Sequence, residues 1–91
     1  MPTKKYQLAA YRQAALRPDY ELDLGEGKSI VIRQPDVSEV CDLNGMTDPR
    51  EVLKLLAKDE YEPLMEAISG EPGGVIQSLI DDLVRHFGLG K

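Results

Sequence analysis

A chain of 91 residues, 42% hydrophobic and 30% charged, has the makeup of one small soluble globular domain, able to bury about 60–65% of its unfolded surface without staples. Its one cysteine, Cys41, excludes an intrachain disulfide and fits a reducing cytosol. No apolar run approaches the ~18 residues of a membrane span, and the basic N-terminus lacks the apolar stretch of a secretory signal.

The net charge of −5 is unevenly spread. Residues 1–17 hold Lys4, Lys5, Arg12 and Arg17 and no acid. Of 11 cations that leaves 7 for residues 18–91, which carry all 16 acids, a net of −9. An acidic body repels phosphate and so disfavours nucleic acid. A basic arm on such a body suggests contact with another acidic surface, for instance a neighbouring copy; the plainer alternative is a solvated, frayed end.

Thr3 can cap a helix running to about Arg17, with Leu8, Ala9, Arg12, Ala15 and Leu16 on one face and Pro18 as its stop. A helix of that length is marginal in water without a partner surface. The expected division is therefore a basic helix or arm over 1–17 and a single globular domain over 18–91.

YELDLGEGKSIVIR reads as strand, turn, strand, about 20–24 and 28–33. A two-residue loop, Glu26-Gly27, pairs Leu22 with Val31 and splits the apolar faces. A three-residue loop, Gly25-Glu26-Gly27, pairs Leu22 with Ile30 and Tyr20 with Ile32, and gathers every large apolar group except Val31 on one face. Gly27 then takes the left-handed position at little steric cost.

Asp36 and Glu39 have capping-box spacing, opening a short helix with Val37, Val40 and Leu43 inward and Asn44-Gly45 at its end. Asp48-Pro49-Arg50-Glu51 is a second helix start, followed by Val52, Leu53, Leu55 and Leu56. Asp59 can cap a third helix, with Pro63 delaying its start and Tyr61, Leu64, Met65 and Ile68 as its core face. After the Gly70–Gly74 break, a last helix over about 75–87 turns Ile76, Leu79, Ile80, Leu83 and Phe87 inward, and Gly88 ends it. Val75 and Val84 widen its stripe beyond what one core contact needs. The fold class expected is α+β, mainly helical: an N-terminal helix, one β-hairpin, and three to four short helices packed as one small domain.

GEGKS, residues 25–29, matches the second half of a phosphate-binding loop. The full motif needs a glycine where Leu22 stands. It also needs a helix after the lysine, whose amides hold phosphate, and Ile30-Val31-Ile32 is β-branched. His86, the one histidine, lies four residues after Asp82, but two ligands are too few for a metal site. Near a helix C-terminus, such a histidine more often meets the last carbonyls. Asp81 and Asp82 are adjacent on a helix, so they point apart and form no dyad. Cys41 reads as a small core residue. No nucleophile, base and oxyanion donors assemble, so the expectation is a protein that is not an enzyme and uses no cofactor and no metal.

The order of these elements, with DPREVLKLLAKDEYEPLMEAI, the Pro-Gly break and the terminal HFGL, resembles the tail assembly chaperones of long-tailed (siphovirus-type) bacteriophages, especially those infecting actinobacteria. The likeness runs from about Tyr20 to Leu89. It implies a protein that binds the long, helical, aggregation-prone tape measure protein, keeps it soluble while tail-tube subunits polymerise around it, and is absent from the mature virion. It also implies a host-cytoplasmic location, and a longer product, made by programmed ribosomal frameshifting, that recruits the tail-tube protein. The end of the chain, Leu-Gly-Lys at 89–91, can be encoded with the slippery run G GGA AAA; the expectation is such a run followed by an overlapping frame.

A chaperone for an apolar helix needs apolar surface on a soluble body. The candidate partner-binding residues are Leu8, Leu16, Val75, Ile76, Leu79, Val84 and Phe87; the alternative, favoured for Ile76, Leu79 and Leu83, is that they are core. Many weak sites along a long client also favour self-association. Two other readings compete: a structural head-tail joining or tail completion protein of the virion, and an acidic mimic of DNA charge. The last wants acids arrayed over one face, whereas these sit at caps and strand exteriors.

Overall fold

The computed structural model describes residues 3–89. It is α+β and mainly helical, as the sequence leads one to expect. The order is α1 (Leu8–Ala15), β1 (Tyr20–Gly25), β2 (Lys28–Ile32), α2 (Val37–Leu43), α3 (Pro49–Ala57), a 3-10 turn (Lys58–Glu60), α4 (Tyr61–Ile68) and α5 (Gly74–Phe87).

Helix α1 is shorter than expected. Its N-cap is Gln7, which makes no side-chain capping bond, and Thr3 lies outside the helix. Every residue from 3 to 19 is exposed, so the residues before Leu8 gain no burial from becoming helical. The helix is held only at its base. The Gln34 side chain accepts from Arg17 N–H at 3.0 Å and donates to the Ala15 carbonyl at 2.7 Å. Arg17 Nη1 donates to the carbonyls of Ala14 and Leu16, setting a cation on the last turn of α1. The molecule is 61 Å long and has a radius of gyration of 15.9 Å, against about 12 Å for a compact chain of this size. The uncovered arm accounts for the excess.

The hairpin has the expected register, with Tyr20 opposite Ile32 and Leu22 opposite Ile30. Its loop corrects the expectation. The ladder continues to Gly25 and Lys28, so the loop has two residues, Glu26 and Gly27, both at positive φ (54° and 76°). That is the handedness of the primed turns that fit twisted strands. Leu24 is the extra residue, a bulge between Asp23 and Gly25. Gly25 N–H donates to Asp23 Oδ1 across it at 2.8 Å. The bulge supplies the offset that a longer loop would have supplied. Tyr20, Leu22 and Leu24 therefore face the core beside Ile30 and Ile32, and Val31 points out.

Helix α2 opens with the expected capping box: Glu39 N–H donates to Asp36 Oδ1, and Asp36 N–H donates to Glu39 Oε1, both at 2.9 Å. Its inward face is smaller than expected. Val40 and Leu43 are half-buried, but Val37 is 79% exposed. Val37 is the first helical residue, and the two-turn helix meets the core only toward its far end. Cys41 is also exposed rather than core.

Helix α3 starts at Pro49, with Asp48 Oδ1 accepting from Arg50 N–H at 2.9 Å. Asp59 caps nothing. Lys58, at φ 55°, turns the chain into the 3-10 segment, and Tyr61 N–H bonds the Lys58 carbonyl instead. Pro63 falls within the first turn of α4, where its missing N–H leaves no bond unmade. Helix α5 ends on Gly88 in the left-handed region (φ 68°), with Leu89 N–H donating to the Val84 carbonyl at 2.9 Å.

One core joins these elements. Ile30 and Ile32 come from β2, Val52, Leu53, Leu56 and Ala57 from α3, Leu64 from α4, and Leu79, Ile80, Leu83 and Phe87 from α5. No polar residue is buried among the described residues.

Candidate interaction surfaces

The residues that suggested chemistry have structural surroundings. Lys28 and Ser29 begin β2, and Ser29 Oγ donates to Glu21 Oε2 across the strands at 3.4 Å. No helix N-terminus follows Lys28, so the phosphate-cradling geometry is missing from this stretch. Asp81 accepts from Gln77 at 3.0 Å, and Asp82 pairs with Arg85 at 3.2 Å, each on its own side of α5. Among the described residues no group of three histidine, cysteine or acidic side chains is placed to hold a metal.

His86 departs from its expected partner. It does not bond the last carbonyls of α5. Its Nε2 lies 2.7 Å from the carbonyl oxygen of Pro18, across 68 residues of sequence. A carbonyl only accepts, so Nε2 carries the proton and donates. The imidazole also meets Tyr20 and Phe87 edge-on, at centroid distances of 5.2 and 4.8 Å. Burial raises the Tyr20 phenol above its usual 10.0, and the negative charge of Asp82 raises it further. This clasp fixes where the arm leaves the body.

The candidate contact residues separate into three groups. Leu8 and Leu16 are exposed on the arm, at 73% and 55%. Val75, Ile76 and Val84 are half-buried. Leu79 and Phe87 lie in the core, and Phe87 also lines the groove at the root of the arm. Of the two residues that widen the α5 stripe, Val84 packs against the core and its carbonyl accepts the closing bond from Leu89, whereas Val75 stands in the wall of an open groove.

Two apolar surfaces emerge from this placement. One is a shallow groove of about 280 Å³ where α4 meets the start of α5, with Met65, Ile68, Val75 and Ile76 in its walls and Arg50 and Glu71 at its margins. The other, of about 290 Å³, lies at the root of the arm, between α2 and the end of α5, with Val37, Val40, Cys41 and Leu89 in its walls. Tyr6 and Tyr11 add to the arm's uncovered apolar surface. Sequence reading missed Tyr6, Tyr11, Val37 and Cys41 as surface. The signal for Tyr11 was present, since an aromatic among alanines on a short helix has nowhere to be buried.

No family model, no curated protein and no solved structure matches the chain.

Proposed function

We propose that this chain is a non-enzymatic binding protein, a tail assembly chaperone that holds the tape measure protein soluble and promotes tail-tube assembly. The observation that carries the reading is apolar surface left uncovered outside a closed core. The walls of the α4–α5 groove, Met65, Ile68, Val75 and Ile76, are only half-covered. They stand on a body whose charge keeps it soluble and keeps loaded complexes apart. The resemblance of residues 20–89 to tail assembly chaperones names the client.

The groove between α4 and α5 suits an amphipathic helix laid along it, with one apolar stripe inside and polar residues at the rim. A longer frameshifted product would carry the tail-tube contact; Gly90 and Lys91, which hold most of the slippery codons, lie outside the described residues. Co-expression with the tape measure protein of the same phage tests the reading, as does the search for this chain in purified virions, where a joining or completion protein would be found.

A further inference from the structure

We propose that the arm of one copy seats on the α2 groove of a second copy. Helix α1 has the features of one half of a helix–helix contact: its base, at Ala15 and Arg17, borders the groove of its own chain, and the rest of its length meets nothing. Leu8 and Tyr11, three residues apart, share one face beyond that base and are 73% and 62% exposed. An eight-residue helix does not persist alone in water, so the folded state of α1 requires a covering surface.

The groove supplies the other half. Val37, Val40 and Cys41 stand at matching helical spacing along α2, and Val37 is the most exposed large apolar residue in the described chain. Charge selects the pairing. The arm carries Lys4, Lys5 and Arg12 without an acid, while α2 and its cap carry Asp36, Glu39 and Asp42 without a cation. Glu39 is already paired with Lys58 at 3.0 Å, and Asp36 is spent in the capping box. Asp42 makes no ion pair among the described residues and is exposed. An arm lying along α2 places its cations beside that acidic flank while Leu8 and Tyr11 cover Val37 and Val40.

The occupant is a second copy rather than the same chain. The root of α1 is fixed by both Gln34 bonds, and the Arg17 guanidinium lies against Gly88, where an added Cβ would stand 3.4 Å from Nη2. Folding the arm back onto its own α2 would break these contacts. Every copy carries both an arm and a groove, so the contact closes reciprocally in a pair or propagates head to tail. It also leaves the α4–α5 groove open to a client, and its test needs no client, so its failure would not bear on the chaperone reading.

Cys41 makes the test direct, because it is the only cysteine and sits in the groove. One protein carries Leu8→Cys with Cys41→Ser, placing its thiol on the arm alone. Unaltered chain, distinguishable by a tag, carries its thiol in the groove alone. The two are mixed under mild oxidation. The expected result is a disulfide-linked pair of the two species, in excess of that formed by a control with Glu62→Cys and Cys41→Ser, and its loss when Val37→Glu is introduced into the groove partner. Sedimentation of the unaltered chain should give a mass above the 10.1 kDa monomer, returning to monomer in Val37→Glu, whose exposed site does not threaten the fold. Linkage at the control level, or a monomeric unaltered chain, overturns the proposal.

Discussion

His86 Nε2 donates a 2.7 Å hydrogen bond to the carbonyl oxygen of Pro18, joining the last turn of α5 to the residue that follows the arm. The bond stands beside the edge-on rings of Tyr20 and Phe87, so polar and apolar contacts act at the same point. His86→Phe keeps an aromatic ring there but removes the donor. It should lower stability by about 1 kcal/mol, the usual net worth of one such bond. His86→Ala also removes the ring packing and should lower it further. Urea unfolding of the two variants beside the unaltered chain separates the contributions. Equal losses in both would assign the whole effect to the hydrogen bond and none to the rings.

Gly27 sits at φ 76° with nothing within 4 Å of the place a Cβ would take. Gly27→Ala therefore meets no clash, and its cost is purely that of a left-handed backbone, about 1–2 kcal/mol. Gly27→Asn should cost less, because asparagine tolerates that region. The same denaturant titrations measure both. If alanine and asparagine were equally harmless, the turn would not be held in the primed geometry.

Tyr20 gives a pH dependence. Burial and Asp82 hold its phenol above 10.0 in the folded state. A raised pKa means that the folded chain keeps the proton more tightly than the unfolded one. The stabilisation is fully present below about pH 10 and is lost as pH rises from there through the folded pKa. Tyr20→Phe should flatten the alkaline fall in stability without changing its neutral-pH slope. Thermal unfolding from pH 8 to 11 reads this difference. An identical alkaline profile in both proteins would contradict it.

What the sequence made legible was mostly local. The Asp36–Glu39 capping box and the Asp48-Pro49 start are written in four consecutive residues each, and both form. The hairpin register follows from which apolar groups must share a face. The bulge at Leu24 was not legible, because two-residue and three-residue loops can reach the same pairing by different routes. Val37 and Cys41 were misplaced because periodicity gives a face but not how far along a short helix the core extends. The excess width of the α5 stripe was legible, but not how its margins divide: Val84 packs against the core and Val75 lines the α4–α5 groove, and only the placement of the neighbouring elements decides which. Exposure of the arm was partly legible in its charge, since four cations without an acid find no counter-surface within residues 1–17.

The central claim is that uncovered apolar surface on this small acidic body serves a helical client. Co-expression of the tape measure protein with this chain, followed by separation of soluble from aggregated material, tests it most directly. Val75→Glu together with Ile76→Glu changes the wall of the α4–α5 groove, and circular dichroism reports whether that variant remains folded. The account predicts a soluble tape measure protein with the unaltered chain and an aggregated one with the folded double variant. A tape measure protein that stays insoluble beside the unaltered chain would contradict it.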